Sequence, residues 1–387
     1  MQQLTIRIQQ QAKASEIYIG NGIRRDLGAL IKSLPTPHPR RLAIVSNTRV
    51  FELYGKRIVQ CLKRDGFGVS HWLMPEGERY KSFGVLENAV EFLGRNSFER
   101  NDAVVAVGGG VVGDLAGFSA AIYLRGIPLF QVPTTLLAQI DSSVGGKTGI
   151  NLAIGKNLVG SFHQPRCVVI DVETLNSLPR RELTSGFCEM VKQGLAASSQ
   201  LFDRTTQLLR DWKNSADISL PSSGLEDLIA MHCDFKASIV ANDERESTTR
   251  LDNKSRKVLN LGHTTAHALE TLTKYRTFRH GEAVGYGLMV AGEISKNLGL
   301  LEETHLESIR DAVALCGRLP RADNLEVDKI MRLVKRDKKT VAGQINWVLL
   351  NDIGSPIIVE GKEISSSLLR RSLRQGLQQL RKKEYSH

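Results

Sequence analysis

The sequence predicts an α/β N-terminal domain followed by a mainly α-helical C-terminal domain. Its 387 residues exceed the length that one hydrophobic core usually serves. Short apolar runs at 42–46, 104–107 and 129–132 are each followed by a turn and a helix-like stretch, which favours a mostly parallel sheet covered on both faces. From about residue 180 onward, the apolar positions repeat with helical periodicity instead.

This change of pattern places the domain boundary between residues 1–175 and residues 176–387. Helical periodicity in the second domain covers 181–197, 201–213, 224–243, 263–273, 280–298 and 302–316. One strand-like run, Ile345–Leu350, appears late in the chain. Leucines then recur at helical spacing from Leu368 to Leu380, which predicts an amphipathic terminal helix.

The composition excludes several classes of protein. Hydrophobic residues make up 41% and charged residues 24%, which is typical of a globular chain and not of a disordered one. No apolar run approaches the roughly 20 residues that span a bilayer, and the N-terminus lacks the pattern of a signal peptide. The five cysteines are scattered without a CxxC pair, which indicates reduced thiols. We therefore expect a cytoplasmic protein without a membrane partner.

The formal charge of +11 would also suit a nucleic-acid-binding protein. Much of the excess, however, lies in basic clusters near the C-terminus, where the solvated face of the terminal helix accounts for it. No nucleic-acid-binding motif accompanies the charge. We expect small anionic ligands and no nucleic-acid partner.

A glycine cluster follows the strand-like run at 104–107 and precedes a helix-like stretch. The cluster comprises Gly108, Gly109, Gly110, Gly113 and the following Asp114. Glycines at such a place let the backbone approach a pyrophosphate, whose charge the helix N-terminus stabilises. The spacing departs from the GxGxxG fingerprint, and tight turns need glycine in any case. The cluster nevertheless favours a Rossmann-like domain that binds a dinucleotide.

Downstream segments add hydroxyl, carboxylate and ammonium groups beside glycine-rich backbone. They are Thr134, Thr135, Asp141, Lys147, Lys156 and Asn157. Lysines beside such backbone suit phosphate or carboxylate binding. Either lysine-containing segment alone could be a surface turn with a solvated lysine. The presence of two such segments favours ligand binding instead.

The helical half contains candidate metal ligands. His263 and His267 are spaced i, i+4 on one predicted helix, and His280 precedes another. Glu189 and Lys192, spaced i, i+3, share a face of a third helix. Carboxylate and imidazole ligands suit Zn²⁺ and leave an open position for substrate. Spacing alone nominates the His263/His267 pair, although isolated histidines are more often structural.

Further polar side chains in this half point to an anionic substrate. They are Lys236, Arg256, Asn260 and Lys338. Such cations are costly to bury unpaired, so an anion is their natural partner. The polar stretch 247–255, just before Arg256, predicts an exposed loop.

Taken in order, these segments resemble the 3-dehydroquinate synthase family of sugar-phosphate cyclases. The matching runs are PEGERYKS (75–82), GGGVVGDLAGF (108–118), RGIPLFQVPTTLLAQIDSSVGGKTGIN (125–151), GKNLVGSFHQP (155–165), SGFCEMVKQG (185–194), NDERE (242–246), LNLGHTTAHALE (259–270), HGEAV (280–284) and RDKK (336–339). The resemblance spans about residues 40–350. The stretch 247–255 is longer than the usual connection in that family.

The resemblance implies a role for each matching position. NAD contacts fall on Glu78, Lys81, Gly110, Asp114, Thr134, Thr135, Lys147, Lys156, Thr174 and Leu175, beside Gly108, Gly109, Gly113 and Asp141. Ligands for Zn²⁺ or Co²⁺ fall on Glu189, His263 and His280, which leaves His267 to the substrate pocket. Substrate contacts fall on Asp141, Lys147, Asn157, Lys192, Lys236, Arg256, Asn260, His267 and Lys338. Arg125 matches an arginine that reaches into the neighbouring subunit's site, which implies a homodimer.

By the same resemblance, the substrate is a small phosphorylated carboxylate sugar, 3-deoxy-D-arabino-heptulosonate 7-phosphate. Transient oxidation by NAD would be followed by phosphate elimination, re-reduction and aldol cyclisation to 3-dehydroquinate. Lys236 and Arg256 would bind the carboxylate. The phosphate would be held by Lys147, Asn157, Asn260, His267 and Lys338.

Two alternatives remain open. Related cyclases act on sedoheptulose 7-phosphate or glucose 6-phosphate, which have no carboxylate, so the presence of Lys236 and Arg256 favours the first substrate. The second alternative is a non-catalytic descendant that binds nucleic acid through its basic surface, with salt-sensitive binding and no turnover.

Overall fold

The structure is a computed structural model that describes residues 14–214, 224–337 and 346–378. Three features expected from the sequence fall partly or wholly outside these ranges. They are the nominated Lys338, the first residue of the strand expected at 345, and the end of the basic terminal helix beyond 378.

The strands form one parallel sheet and two hairpins. In chain order they are β1 (Glu16–Gly20), β2 (Arg41–Asn47), β3 (Gly68–Met74), β4 (Ala103–Gly108), β5 (Leu129–Pro133), β6 (Lys147–Leu152), β7 (Gly155–Phe162), β8 (Cys167–Asp171), β9 (Asn346–Asp352) and β10 (Ser355–Glu360). Six of them pair in parallel in the order β1-β8-β5-β4-β2-β3. The antiparallel hairpins are β6 with β7 and β9 with β10. The Rossmann-like α/β half is thus confirmed.

Helices dominate the chain after β8. The helices are α1 (Leu27–Ser33), α2 (Thr48–Val50), α3 (Lys56–Arg64), α4 (Phe83–Arg95), α5 (Gly110–Ile122), α6 (Arg180–Ala197), α7 (Ser199–Asn214), α8 (Leu225–Asn242), α9 (His263–Leu272), α10 (His280–Asn297), α11 (Glu303–Leu315), α12 (Val327–Asp337) and α13 (Ser366–Gln378). Those from α6 to α11 correspond to the six helices expected from residue 181 onward. The mainly helical second half is therefore confirmed as well.

The central strands are buried on both faces. Leu42 and Ile44 of β2 belong to the core on one side of the sheet, whereas Ala43 and Val45 belong to the core on the other side. Because successive strand residues point to opposite faces, a strand covered on both sides needs a continuous apolar run. This packing explains the unbroken runs seen in the sequence.

The strand order reverses between β2 and β4. From β2 the chain moves to β3 at one edge, while β4 pairs on the other side of β2 and is followed outward by β5 and β8. In open parallel sheets such a reversal leaves a crevice beyond the carboxyl ends of the strands, where ligands bind. Gly108 is the last residue of β4 and lies at this edge, so the glycine turn is at the crevice.

Close packing of α10 sets the geometry of the helical half. A Cβ atom on Gly281 would lie 1.8 Å from the Ser185 carbonyl oxygen of α6. A Cβ atom on Gly287 would lie 2.0 Å from the Gly262 carbonyl oxygen, just before α9. The two glycines therefore let α10 approach both neighbours, which brings its first residue, His280, close to α6 and to the start of α9.

We expect Gly287→Ala to lower the free energy of unfolding by about 1–3 kcal/mol, the usual range for overpacking an interior. The matched control is Gly94→Ala in α4, where a Cβ atom would meet no described atom within 4 Å apart from its chain neighbours and the backbone of its own helix. The control should be neutral or slightly stabilising, because alanine restricts the unfolded chain. Urea unfolding measures both variants. Equal stability of Gly287→Ala and the unaltered protein would contradict this account of α10.

The predicted domain boundary falls within the 3₁₀ turn Val172–Ser177, between β8 and α6. The large core of the helical half also includes Val168 and Ile170 of β8, so packing continues across this point. The placement of the boundary stays a prediction. Among the helices that the structure describes, none is long and apolar enough to cross a membrane.

Candidate active site

The turn between β4 and α5 leaves a helix N-terminus open. Gly109 is the N-cap of α5, and no side chain from the described ranges caps it. The first N–H groups of α5 are therefore left for an anion. A Cβ atom on Gly110 would lie 2.9 Å from Ser142 Oγ, and one on Gly113 would lie 2.8 Å from Gln131 Oε1. These glycines serve close packing as well as backbone access.

Lys81 contacts two other nominated residues, one from the dinucleotide set and one from the substrate set. Its buried ammonium donates to Asp114 Oδ2 at 2.5 Å and to Asn157 Oδ1. Burial raises the pKa of Asp114, and the Lys81 charge opposes that rise. Folding thus brings together the end of a 3₁₀ turn, α5 and β7, which are distant in sequence.

The threonine pair after β5 lies beside the glycine turn. Thr134 is buried, and its N–H donates to the Gly108 carbonyl oxygen at 3.0 Å. Thr135 Oγ1 accepts from the Ala138 N–H at 3.2 Å. Both threonines therefore lie at the carboxyl end of the sheet, next to the open N-terminus of α5.

The other nominated pair, Thr174 and Leu175, lies deeper. Both residues are buried, and Thr174 Oγ1 donates to the Asp171 carbonyl oxygen at 2.8 Å and accepts from Gln139 Nε2 at 3.1 Å. They expose almost no surface that a ligand could touch. Their contact with NAD stays a prediction.

Three side chains converge as a candidate metal site. Ligand atoms of Glu189, His263 and His280 all lie within 4.8 Å of one another. Nε2 of His280 lies 3.4 Å from Glu189 Oε1, and Nε2 of His263 lies 3.9 Å from the same oxygen. Oε1 of the buried Glu189 accepts no hydrogen bond from a described residue, whereas Oε2 lies 2.7 Å from Lys192 Nζ. A buried carboxylate that faces two imidazoles in this way fits a divalent cation.

The outer nitrogens of both imidazoles contact oxygen atoms. His263 Nδ1 lies 3.2 Å from the Leu261 carbonyl oxygen, and His280 Nδ1 lies 3.3 Å from Glu270 Oε2. Such contacts fix the ring orientation and leave Nε2 free to bind a metal. Burial lowers the pKa of His263 well below its usual value. This imidazole is therefore neutral at pH 7, as a metal ligand must be.

The third histidine, His267, does not belong to the convergent set. Its ring centroid lies 5.5 Å from that of His263 and 6.2 Å from that of His280. The pair nominated by helical spacing alone, His263 and His267, is therefore replaced by the pair that the family resemblance implies. Helical spacing reports a shared face only, whereas the packing of α10 supplies His280.

The nominated Lys156 lies between two carboxylates. Its ammonium is 3.0 Å from Glu270 Oε1 and 3.9 Å from Glu78 Oε1. Asn151 Nδ2 donates to Glu78 Oε1 at 2.7 Å. Glu270, which was not nominated from the sequence, thus contacts both a dinucleotide candidate and a metal candidate. Its position three residues after His267 and seven after His263, on the same helix face, was the available signal.

Asp141 is held by two lysines. Lys236 Nζ donates to Asp141 Oδ1 and, at 2.5 Å, to its carbonyl oxygen, while Lys192 Nζ lies 3.6 Å from Oδ2. Burial would raise the pKa of Asp141, but the two ammonium groups outweigh it and hold the pKa well below its usual range. Asp141 is therefore a carboxylate at neutral pH. Through Lys192 it is linked to Glu189 of the metal candidate site.

A second polar group forms around Glu246. Lys147 Nζ makes an ion pair with Glu246 Oε2, and Asn260 Nδ2 donates to Oε1 at 3.1 Å. Burial raises the pKa of Glu246, but Lys147 and Asn260 outweigh it, so the net shift is downward. Glu246 ends the matched run NDERE, yet no role was assigned to it from the sequence. Its partner 99 positions away could not be recognised without the fold.

One carboxylate ties both ends of the exposed loop at 247–255. Asp243 Oδ1 accepts from the Ser247 N–H at 2.8 Å, and Oδ2 accepts from the Arg256 N–H at 2.8 Å. Arg256 is buried, and its guanidinium donates to the carbonyl oxygens of Glu244 at 2.7 Å and Gly145 at 2.9 Å. Although the loop at 247–255 is longer than the usual connection in the family, Arg256 is held beside the 141–147 segment.

Two nominated residues lie apart from these groups. Arg125 is exposed on the 3₁₀ turn Tyr123–Arg125, where Leu124 and Arg125 have φ values of 49° and 68°. Lys338 lies outside the described residues. The predicted participation of both in the site stays a prediction.

A buried histidine, His232, contacts residues that adjoin Lys192 and Asp141. His232 Nδ1 lies 3.0 Å from Gln193 Oε1, and its Nε2 lies 3.1 Å from Thr205 Oγ1. Gln193, which follows Lys192, donates to the Ile140 carbonyl oxygen at 3.0 Å, next to Asp141. Burial lowers the pKa of His232 from 6.5 to about 3. These buried contacts give His232 a structural role.

We expect His232 to make the fold acid-sensitive. Its pKa is lower in the folded than in the unfolded chain, so the unfolded chain binds the extra proton and stability is lost as the pH falls below 6.5. Between pH 7 and pH 5 this one group should remove about 2 kcal/mol from the free energy of unfolding. Urea unfolding of His232→Gln should show a pH dependence smaller by that amount. If the free energy of unfolding of His232→Gln changed between pH 7 and pH 5 by as much as that of the unaltered protein, the lowered pKa of His232 would not be the cause.

Comparison with known proteins gives concordant matches. Residues 71–185 match the family described as 3-dehydroquinate synthase N-terminal, and residues 186–340 match the family described as 3-dehydroquinate synthase C-terminal. The 3-dehydroquinate synthase of Nitrosospira multiformis is 43% identical over 318 residues, covering 81% of this chain and 83% of that protein. The 3-dehydroquinate synthase of Thermodesulfovibrio yellowstonii is 38% identical over 377 residues, covering 94% and 99%.

A solved structure is similar along most of the chain. It is 2-deoxy-scyllo-inosose synthase complexed with carbaglucose-6-phosphate, NAD⁺ and Co²⁺. The TM-score is 0.80 at 26% identity, and the alignment covers 93% of this chain and 96% of that one.

Proposed function

Because the chain belongs to the 3-dehydroquinate synthase family, we propose that it converts 3-deoxy-D-arabino-heptulosonate 7-phosphate into 3-dehydroquinate and phosphate. In reaction class it is then a phosphate-eliminating carbon–oxygen lyase that cyclises its substrate. One observation carries the proposal: a single series of polar contacts links the carboxylate-binding, metal-binding and dinucleotide-binding candidates. The series runs through Lys236, Asp141, Lys192, Glu189, His280, Glu270 and Lys156.

NAD and one Zn²⁺ or Co²⁺ are the proposed cofactors. Bound NAD supplies hydride acceptance and return, and the bound metal supplies Lewis-acid polarisation of the substrate hydroxyl. Glu189, His263 and His280 would hold the metal, since their ligand atoms converge and Oε1 of Glu189, which faces both imidazoles, accepts no hydrogen bond from a described residue. The open N-terminus of α5 and Lys156 would hold the dinucleotide. The NAD⁺ and Co²⁺ of the similar inosose synthase support both choices.

The substrate would share Lys236 with Asp141 and would replace contacts that Arg256 now makes with the chain. Lys236 and Arg256, which donate to Asp141 and to two carbonyl oxygens, would donate to the substrate carboxylate. The phosphate would be held by Lys147, Asn157, Asn260, His267 and Lys338. Lys236 and Lys192 hold the pKa of Asp141 well below its usual range, so Asp141 would remain an acceptor that orients Lys236. Holding one intermediate through several steps makes orientation the main contribution of these residues.

The carboxylate assignment is tested by substrate choice. We expect kcat/KM for 3-deoxy-D-arabino-heptulosonate 7-phosphate to exceed that for sedoheptulose 7-phosphate at least about 100-fold, because the second sugar leaves buried cations unpaired. Both rates are measured as phosphate release with product identification. A preference for sedoheptulose 7-phosphate would keep the fold but overturn the proposed role of Lys236 and Arg256.

We further propose that the enzyme is a cytoplasmic homodimer in which Arg125 enters the partner's site. Exposed Ile122 and Leu124 beside Arg125 suit a contact with a second copy. The cysteines are unpaired among the described residues, as expected for a reducing compartment.

Mixing two inactive variants tests the shared site. We expect Arg125→Ala and Glu189→Gln each to be inactive alone, since each removes a different part of the site. A mixed dimer has one site with both residues intact, so an equal mixture after subunit exchange should recover about a quarter of full activity. Absence of recovery, with mixed dimers shown by mass spectrometry, would contradict the shared site.

A further inference from the structure

Glu270 is a buried carboxylate whose two oxygens have different partners. It lies near the end of α9, and its side chain is 3% exposed. Oε1 lies 3.0 Å from Lys156 Nζ, and Oε2 lies 3.3 Å from His280 Nδ1. Buried carboxylates need such partners, and here each oxygen has one. The residue therefore joins two side chains that lie 124 positions apart in the sequence.

On the His280 side, Glu270 fixes a metal-ligand candidate. An imidazole that binds metal through Nε2 usually donates its Nδ1–H to a carboxylate or carbonyl, which sets the ring orientation. His280 is the first residue of α10, and its backbone sits where Gly281 packs against Ser185. The backbone is thus placed by α10, and the ring by Glu270.

Through its other oxygen, Glu270 contacts Lys156, a dinucleotide-binding candidate in the N-terminal domain. Lys156 belongs to β7, and its neighbour Asn157 contacts the buried Lys81. The ammonium of Lys156 also lies 4.3 Å from the ring centroid of Tyr275, but a quarter of the side chain remains exposed, at 24%. A lysine that is partly exposed loses much of its freedom when a ligand orders it.

We propose that Glu270 is a positioning residue that couples dinucleotide binding to metal binding through Lys156 and His280. This inference rests on the proposed function only for the identity of the two ligands. Dinucleotide binding orders Lys156, which then holds Oε1 of Glu270 and keeps Oε2 on the Nδ1–H of His280. The ligand nitrogen Nε2 of His280 is thereby already oriented towards Glu189. Metal binding then costs less conformational entropy of the His280 side chain. By linkage, the metal strengthens dinucleotide binding by the same factor.

The test measures binding, without substrate and without turnover. Co²⁺ affinity is obtained from its visible absorption bands in competition with a chelator, with and without saturating NAD⁺. For the unaltered protein we expect NAD⁺ to tighten Co²⁺ binding by about tenfold, within the usual range for coupled sites. For Glu270→Gln we expect Co²⁺ binding to weaken by about 10–100-fold, and the effect of NAD⁺ to disappear.

Lys156→Met tests the coupling between NAD⁺ and Co²⁺ binding in a variant that is expected to fold. This side chain is partly exposed, so the variant should fold even if Glu270→Gln does not. With NAD⁺ raised until this variant is saturated, as shown by a separate NAD⁺ titration, we expect the effect of NAD⁺ on its Co²⁺ affinity to be lost. Glu293→Gln is the matched control for removing a buried carboxylate, since Glu293 contacts Arg310 and is not a member of the site. It should keep both the affinity and the coupling.

Each outcome decides the proposal. Unchanged Co²⁺ affinity in Glu270→Gln, or an NAD⁺ effect that survives in either variant, would overturn it. Weaker Co²⁺ binding in Glu270→Gln, together with loss of the NAD⁺ effect in both variants, supports it. Failure of the proposed function would instead appear as absent turnover in a protein whose coupled binding of Co²⁺ and NAD⁺ is intact, so the two failures are distinguishable.

Discussion

Glu189→Gln should leave a folded protein that neither binds the metal nor turns over. The amide keeps the size of the side chain but removes the charge that faces two imidazole nitrogens at 3.4 and 3.9 Å. We expect bound Zn²⁺ or Co²⁺ to fall to near zero. We expect kcat/KM to fall by roughly a thousandfold or more, because several kcal/mol of Lewis-acid stabilisation is lost. Metal analysis after desalting and a phosphate-release assay measure the two effects.

A matched variant separates this effect from the loss of a buried charge. Glu293 is as buried as Glu189, but it contacts Arg310 Nη2 at 2.9 Å and is not one of the nominated site residues. Glu293→Gln should cost stability yet keep the metal and the rate. If Glu189→Gln retained stoichiometric metal, the proposed ligand set would be wrong.

Lys236→Met should impair the enzyme chiefly for a substrate that carries a carboxylate. It removes a buried ammonium that now donates to Asp141 and that we place on the substrate carboxylate. Removing one partner of a buried charge pair costs several kcal/mol, so we expect kcat/KM to fall by about 10²–10³-fold. Steady-state kinetics with 3-deoxy-D-arabino-heptulosonate 7-phosphate measures the fall.

Lys257→Met is the control for this second variant. Lys257 lies beside Arg256, but its ammonium donates to the carbonyl oxygens of Thr248 and Arg250 in the loop. Its removal should change kcat/KM by no more than about twofold, as for most substitutions away from a site. Equal losses in both variants would mean that the Lys236 effect is structural and not a loss of carboxylate binding.

The fold could be predicted from the sequence because its signals are local. The apolar runs of β2, β4 and β5 and the helical periodicity after residue 180 are properties of short segments, and both correspond to observed elements. The strand order is a different matter. The side-by-side pairing of β4 with β2 and of β8 with β5 follows from long-range packing, which no segment encodes alone.

The same distinction applies to the site. Helical spacing nominated His263 with His267, whereas packing of α10 against Ser185 brings in His280 from another helix. The sequence placed His280 among the candidates, but only the resemblance to a family preferred it to His267. Glu246 and Glu270 were missed although both lie inside matched motifs. Their roles depend on Lys147 and Lys156, which are distant in sequence and are brought close only by the fold.

Phosphate release from 3-deoxy-D-arabino-heptulosonate 7-phosphate, with NAD far below the substrate concentration, tests the central claim most directly. The account predicts many phosphates released per NAD, 3-dehydroquinate as product, no net NADH, and loss of the rate with a chelator followed by recovery with Zn²⁺ or Co²⁺. NADH that accumulates in proportion to product, or a rate that persists after the metal has been removed, would contradict it.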